Sequence, residues 1–252
     1  DRGSGLAHIG DYASRPLPPA SPPQARPGCG AKVCRAMSSV ALQAPPSLEE
    51  RLESGLRELG ISMGTQDLSR LVEYVALLDK WNRVYNLTAI RDAGSVVSVH
   101  LLDCLAAVPY LRGNGVLDVG SGAGLPGIPI SVARPDLRVT MLESSHKKAA
   151  FLRQAVAELQ LKNAAIVCER AESWRPRETF DCIISRAFAE LSEFVTLTEH
   201  LLAQRGLLVA MKGVHPYDEI AKLPPEFRVT QVRRLFVPGL EAERHLVLIE
   251  RS

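Results

Sequence analysis

The order of apolar and polar positions divides the chain into three stretches. Residues 1–46 contain many prolines and few large apolar side chains, which predicts a disordered leader outside the natural fold. A regulatory tail is the alternative interpretation of this stretch. Residues 47–112 have helical periodicity and predict an N-terminal helical cap. Over 113–252, apolar runs alternate with helical patterns, which predicts a second domain built on a parallel sheet covered on both faces.

Three helices are predicted in the cap. Ser47 and Glu50 have the spacing of a capping box at the start of the first helix, and Gly60 ends it. The second helix is predicted over about 67–85 and the third over about 95–111. A polar loop between them follows an aromatic helix face.

The second domain is predicted to be an α/β fold. Strands are predicted at 115–119, 137–142, 164–168, 180–185 and 206–211, with helices near 126–133, 145–160 and 190–204. Two extended stretches, 226–236 and 244–250, predict an antiparallel hairpin at the edge of the sheet. The predicted fold is therefore a Rossmann-like, mostly parallel sheet with a C-terminal antiparallel hairpin, preceded by the helical cap.

A glycine-rich turn follows the first predicted strand. Asp118 ends this strand region, and Gly120, Gly122 and Gly124 follow at alternate positions before another apolar run. Glycine permits positive φ and a close approach of the backbone to a ligand. A strand, a glycine turn and a helix N-terminus together form a nucleotide cradle, so an adenosine-bearing cofactor is expected. A tight turn that binds no ligand is the alternative.

The surroundings of the turn favour S-adenosylmethionine over a dinucleotide. A dinucleotide spacing ending at Gly127 is present, but Pro126 and Pro129 flank it and disfavour a regular helix beneath a pyrophosphate. The carboxylate of Asp118 repels a diphosphate and suits a cationic ligand. Glu143, at the end of the second strand, has the position of an acceptor for ribose hydroxyls, which both cofactors offer. A solvated strand end is the alternative for Glu143.

Composition narrows the class of protein. The 252 residues are 46% hydrophobic and 23% charged with a net charge of +2, which permits a nucleic-acid partner without requiring one. Five scattered cysteines without a C-x-x-C pair predict reduced thiols in the cytoplasm and no metal site. No run of 18 apolar residues is present, so no membrane association is expected.

Other candidate site residues lie at or near predicted strand ends. Glu172 has a position suited to an adenine amino group, or is part of a surface turn. Arg186 is a candidate for binding a cofactor carboxylate or an RNA phosphate, with a salt bridge as the alternative. Lys212 is a candidate phosphate contact or a solvated strand end. His100 and Asp103, one helical turn apart, either join the cap to the sheet or face the substrate. The catalytic candidates are these last four residues.

Several motifs together resemble the RsmG (GidB) family over about residues 48–250. The segments that carry the resemblance are Trp81-Asn-Arg-Val-Tyr-Asn-Leu-Thr88, His100-Leu-Leu-Asp103, Asp118-Val-Gly-Ser-Gly-Ala-Gly-Leu-Pro-Gly-Ile-Pro129, Arg170-Ala-Glu172, Ser185-Arg-Ala187 and Lys212-Gly213. The resemblance implies a class I methyltransferase that methylates guanine N7 in 16S ribosomal RNA with S-adenosylmethionine. No motif of this family lies in residues 1–46.

The resemblance also implies roles for individual residues. Gly120 and Leu125 line the cofactor site, Ala171 and Glu172 hold the adenine side, and Arg186 is a further cofactor-site residue. Together with the residues of the cradle, the expected cofactor-binding set is Asp118, Gly120, Ser121, Gly122, Gly124, Leu125, Glu143, Ala171, Glu172 and Arg186. The expected partner is 16S ribosomal RNA or the small ribosomal subunit, bound by a monomer. A methyltransferase for a metabolite or a protein, an NAD-linked oxidoreductase and a catalytically silent RNA-binding protein are the alternatives.

Overall fold

The structure, a computed structural model, describes residues 46–85, 87, 96–186, 188 and 190–252. The predicted disorder of the leader and the predicted polar loop after the second helix fall mostly outside these residues. Within the described part, no helix is long and apolar enough to cross a membrane.

The described residues form a seven-stranded mixed sheet. Its strands are β1 (Gly115–Val119), β2 (Arg138–Leu142), β3 (Ala164–Val167), β4 (Phe180–Ser185), β5 (Leu202–Lys212), β6 (Phe227–Arg234) and β7 (His245–Arg251). The strand order is β3-β2-β1-β4-β5-β7-β6, and β1 to β5 run parallel. β7 pairs antiparallel with β5 and β6, so the predicted C-terminal hairpin and the predicted fold class are confirmed.

The helices lie on both faces of this sheet. They are α1 (Leu48–Glu58), α2 (Thr65–Tyr85), a π-helix over Val96–Leu102 that continues into α3 (Asp103–Leu105), α4 (Gly127–Ala133), α5 (His146–Glu158), α6 (Leu191–Thr198) and α7 (Tyr217–Ile220). The predicted capping box is present, because the Ser47 hydroxyl accepts from the Glu50 N–H and the Glu50 carboxylate accepts from the Ser47 N–H. Gly60 follows α1 with a φ of 68°.

Two of the predicted helices are wrong in extent. Of the helix predicted over about 95–111, the described residues 96–111 do not form one regular α-helix, since the π-helix, α3 and a 3₁₀ turn over Val108–Tyr110 follow one another. The helix predicted over 190–204 ends at Thr198, whose hydroxyl donates to the carbonyl of Phe194. A 3₁₀ turn then leads into β5, which begins four residues earlier than predicted because Leu202 pairs with Phe180 in the sheet.

Each face of the sheet has its own hydrophobic cluster. The larger cluster combines Leu52 of α1 and Leu71 of α2 with Val116 of β1 and Phe151 of α5, all fully buried. The smaller cluster packs Phe194 of α6 against the opposite face. The N-terminal helices therefore share the core of the sheet, and the boundary of a separate cap at residue 112 stays a prediction.

Candidate active site

The glycine loop is fixed to the carboxyl ends of the two central strands. Gly120, Gly122 and Gly124 have positive φ values of 72°, 58° and 88°. The N–H groups of Gly120 and Ser121 donate to the carbonyl of Leu142 at 2.9 and 3.2 Å. The Ser121 hydroxyl donates to the carbonyl of Asp118 at 2.9 Å. The loop is therefore held by backbone groups of both β1 and β2.

The glycines of this loop are required for different physical reasons. A Cβ atom on Gly124 would lie 2.5 Å from Ile128 Cδ1, so this glycine allows α4 to pack closely. A Cβ atom on Gly127 would lie 2.7 Å from Asp118 Oδ2. A Cβ atom on Gly122 would meet only the carbonyl of Gly120, at 3.8 Å. Among these three, Gly122 alone adjoins open space, which is where a ligand can approach the backbone.

Glu143 follows β2 and is oriented by two backbone donors. Its Oε2 accepts from the Gly122 N–H and its Oε1 accepts from the Ser145 N–H, both at 2.8 Å. The residue is 6% exposed, so it is not the solvated strand end of the alternative interpretation. A carboxylate has about four lone-pair directions, so acceptor capacity remains for ligand hydroxyls.

Asp118 lies beneath the loop and is fully buried in β1. Its Oδ2 accepts from the Gly127 N–H at 2.9 Å, which fixes the start of α4. Its Oδ1 is buried and has no hydrogen-bond partner among the described residues. Burial raises the pKa of Asp118 to about 7, although the hydrogen bond from the Gly127 N–H lowers it. Contact between Asp118 and a cationic ligand stays a prediction.

Two buried residues complete the support of the loop. The hydroxyl of Tyr74, on α2, donates to the carbonyl of Ala123 at 2.6 Å, and Tyr74 is fully buried. Tyr74 was not among the residues predicted for the site, although a phenol within a buried helix face requires a hydrogen-bond partner. The side chain of Leu125 packs into the larger core cluster, so any ligand contact of this residue falls to its backbone.

Arg186 joins the end of β4 to the segment formed by the π-helix and α3. Its Nη1 donates to Asp103 Oδ2 at 3.2 Å and to the carbonyl of Val99 at 3.1 Å, and its Nη2 lies 3.4 Å from His100 Nδ1. Arg244 Nε lies 3.2 Å from the other oxygen of Asp103, as an ion pair without hydrogen-bond alignment. The structure thus brings the candidates Arg186, His100 and Asp103 together in the arrangement that joins the cap to the sheet.

These contacts affect the ionisation of the cluster. Burial, with Arg186 as a further cause, lowers the pKa of His100 to about 4. Burial raises the pKa of Asp103, and the two arginines counteract this shift. His100 is therefore neutral at physiological pH. A direct contact of Arg186 with a cofactor carboxylate or an RNA phosphate stays a prediction.

Lys212, at the end of β5, lies in a polar cluster of its own. Its Nζ donates to Glu219 Oε2 at 2.6 Å and to the carbonyl of Phe188 at 3.2 Å. The side chain is 10% exposed, so Lys212 is not a solvated strand end. Glu219 also accepts from the Leu191 N–H at 2.9 Å, a role that no local sequence pattern indicated.

Ala171 and Glu172 follow β3 on the outer part of the same edge. Ala171 is half-buried and packs against the smaller core cluster, whereas Glu172 is exposed. A Glu172 oxygen lies 3.7 Å from Arg170 Nη1, and the Glu172 carbonyl accepts from Arg175 at 2.9 Å. The adenine contacts implied by the resemblance stay predictions for both residues.

The sheet order, the glycine loop and the acidic residue after β2 define a class I methyltransferase, an enzyme class whose methyl donor is S-adenosylmethionine. The family described as GidB, rRNA small subunit methyltransferase G, matches residues 67–247. The chain belongs to this family, which confirms the predicted family, enzyme class and cofactor.

Curated relatives carry the same name as the family. Ribosomal RNA small subunit methyltransferase G of Laribacter hongkongensis is 55% identical over 201 residues, which are 80% of this chain and 97% of the relative. The protein of that name from Aromatoleum aromaticum is 56% identical over 206 residues, covering 80% and 98%. The solved O-methyltransferase TomG of Streptomyces achromogenes has a similar fold, with a TM-score of 0.52, 14% identity, and coverage of 82% and 100%.

The residues at the loop fit an adenosine-bearing methyl donor. Gly122 adjoins open space, and the Glu143 carboxylate beside it retains acceptor capacity for ribose hydroxyls. Asp118, buried beneath the loop, carries a carboxyl group and therefore does not repel the positively charged sulfonium. These three features make the carboxyl ends of β1 and β2 the candidate cofactor site.

Proposed function

We propose that this protein transfers a methyl group from S-adenosylmethionine to N7 of a guanine in the 16S ribosomal RNA of the small subunit. The membership of the family supports this proposal. The observation that carries it is the loop of Gly120 to Gly124, whose Gly122 N–H is held by Glu143 beside open space. Such a loop after the first strand of a parallel sheet is a nucleotide-binding element.

The proposed transfer requires no general base. Guanine N7 has a lone pair and no proton to lose, so direct in-line attack on the methyl group completes the reaction. When bound, S-adenosylmethionine supplies an electrophilic methyl group on a sulfonium. The protein then contributes chiefly by positioning the two reactants. The pKa of His100, lowered to about 4, agrees with a role for this residue in the structure of the site and not as an acid.

The residues of this chain have separate tasks in the proposed reaction. The loop and Glu143 bind and orient the nucleoside part of the donor. Arg186, fixed by Asp103, lies at the end of β4 next to the crevice, where its charge favours a carboxylate or a phosphate. The guanine becomes cationic on methylation, so buried carboxyl groups near the site do not repel the charge that develops during the reaction. The target guanine has to be unpaired or flipped to reach this edge.

The proposal includes a cytoplasmic monomer. The ribosomal RNA substrate supports the cytoplasmic location. Size-exclusion chromatography with light scattering tests the monomer, for which a mass of about 27.5 kDa is expected. A stable dimer would contradict this part of the proposal alone.

The decisive experiment compares ribosomal RNA from strains with and without this protein. We expect one 7-methylguanosine in 16S RNA that disappears with the gene and returns with the wild-type protein. The Gly120→Asp variant places a charged side chain in the loop and is expected to restore nothing, with no detectable binding of S-adenosylhomocysteine in calorimetry. Unchanged RNA in the deletion strain, or full activity of Gly120→Asp, would refute the proposal.

The alternatives are separated by two further assays. Thermal shift with S-adenosylhomocysteine and with NAD distinguishes a methyltransferase from an oxidoreductase, because only a bound ligand stabilises the fold. Labelled methyl transfer to ribosomal RNA and to a metabolite pool distinguishes the substrates. Stabilisation by NAD, or label confined to metabolites, would contradict the proposal.

A further inference from the structure

The large apolar side chains that are exposed among the described residues lie at the carboxyl edge of the sheet. They are Val84, Tyr85, Val214, Tyr217 and Phe236. Tyr85 contacts Lys147 of α5, which begins just after β2, with Lys147 Nζ 4.3 Å from the ring centre. Val214 and Tyr217 follow β5, and Phe236 follows β6, whose last residue is level with the end of β5. This edge also contains the candidate cofactor site.

Tyr217 is the most exposed of these side chains, at 73%, and its ring is held in place from one side. It stacks on the His215 ring with the two ring centres 3.7 Å apart and an angle of 24° between the planes. His215 in turn makes an edge contact with His245, whose Nδ1 lies 3.1 Å from the Gly213 carbonyl. One face of the Tyr217 ring is therefore covered by His215, which itself contacts His245 at the start of β7.

Positive charge lies close to this stack. Arg234 ends β6 and pairs in register with His245, which pairs in turn with Lys212 of β5. Arg234 is exposed, and its Nη2 lies 3.4 Å from Glu243. A stacked aromatic ring near an exposed arginine matches the two surfaces of single-stranded RNA, its bases and its phosphates.

We propose that Tyr217, supported by His215, is a stacking platform for an unpaired nucleobase of the RNA substrate. The inference rests on the proposed function, because it takes the ribosomal RNA as the occupant of this edge. An exposed ring gains little by itself, but a ring already fixed by a neighbouring stack loses little conformational freedom when a base stacks on it. The target guanine must leave its own stack to reach the site, which leaves unpaired bases next to it.

The test compares substitutions of Tyr217 with a control on the same loop. Tyr217→Ala removes the ring, Tyr217→Phe keeps the ring without its hydroxyl, and Val214→Ala removes an equally exposed apolar group that cannot stack. The substrate is the small ribosomal subunit, or its 16S RNA, from a strain that lacks the enzyme. The assays are steady-state methyl transfer, RNA binding at several salt concentrations, and calorimetry with S-adenosylhomocysteine.

We expect Tyr217→Ala to raise KM for RNA by roughly 5- to 100-fold, the usual effect of removing one base-stacking ring. Tyr217→Phe and Val214→Ala should stay within about twofold of the wild type, and affinity for S-adenosylhomocysteine should be unchanged in all three. Because stacking releases no counterions, the salt dependence of RNA binding should keep its slope in Tyr217→Ala. A Tyr217→Trp variant should bind RNA and show new fluorescence quenching.

Four results would overturn the platform. They are an unchanged KM in Tyr217→Ala, an equal loss in Tyr217→Phe, an equal loss in Val214→Ala, and a reduced salt slope. An equal rise of KM in Tyr217→Phe indicates a contact through the hydroxyl. An equal rise of KM in Val214→Ala indicates a general apolar docking surface, such as one for a protein. A reduced salt slope of RNA binding indicates an indirect effect on phosphate contacts. Failure of the proposed function is distinct, since the wild-type protein would then not methylate the RNA at all.

Discussion

Gly122 and Gly60 offer a matched pair for testing the cofactor cradle. Their φ values are 58° and 68°, and a Cβ atom at either position meets no atom closer than 3.8 Å. Alanine at either position should therefore cost about 1–2 kcal/mol of folding stability, because only the left-handed backbone conformation is penalised. The two positions differ in location, since Gly60 follows α1 and Gly122 adjoins the open side of the loop.

Ligand binding should separate the two variants. A methyl group at Gly122 enters the space assigned to the cofactor, and overpacking of this kind costs about 1–3 kcal/mol, or roughly 5- to 100-fold in affinity. At a concentration of S-adenosylhomocysteine 100 times the wild-type Kd, the wild type and Gly60→Ala should gain about 2.7 kcal/mol of stability. A tenfold loss of affinity would reduce this gain to about 1.4 kcal/mol in Gly122→Ala.

The assay is urea unfolding with and without S-adenosylhomocysteine, with calorimetry as an independent measure of Kd. Equal stability of the two variants without ligand would confirm that the backbone penalty is matched. If Gly122→Ala then binds the ligand as tightly as Gly60→Ala, the loop does not hold the cofactor and the assignment of the site is wrong.

Three further predictions concern the buried polar groups. The folded-state pKa of Asp118 is raised to about 7, so the folded protein holds a proton that the unfolded chain has already lost above pH 4, and stability falls as pH rises. Between pH 5 and 8, the decline in the free energy of unfolding, measured with urea, should be about 2 kcal/mol smaller in Asp118→Asn than in the wild type. Parallel curves of stability against pH would contradict the raised pKa. Arg186→Ala leaves the buried Asp103 with a single cation, so we expect a loss of about 3 kcal/mol of folding stability. At a temperature where the variant is folded, methyl transfer should also be slower, and unaltered turnover would reject a role for Arg186 at the site. Tyr74→Phe leaves the carbonyl of Ala123 without its donor and should cost about 1 kcal/mol in thermal unfolding, whereas no change would show that the bond contributes nothing.

The parallel sheet was predictable because its signals are local. β1, β2 and β4 are short apolar runs bounded by turn residues, and their observed limits differ from the predicted ones by at most one residue. The limits of the helix before β5 were not predictable in this way. Leu201 and Leu202 continue an apolar pattern that suits a helix equally well, and only pairing with β4 decides for a strand.

The glycine loop was predictable as a cradle, but its supporting contacts were not. Tyr74 and Ala123 are 49 residues apart, and Arg186 and Asp103 are 83 residues apart. Such pairs depend on which helix covers which part of the sheet, and no local pattern encodes that choice. The ion pair of Arg186 was foreseen only as an alternative to a ligand contact, because a strand-end arginine meets either partner with the same chemistry.

A crystal structure with S-adenosylhomocysteine tests most directly whether the loop and Glu143 hold the methyl donor. The account predicts electron density for the ligand against Gly120 to Gly124, with its ribose hydroxyls within hydrogen-bond distance of Glu143. Density for the ligand elsewhere on the molecule, or ribose hydroxyls that Glu143 does not contact, would contradict it.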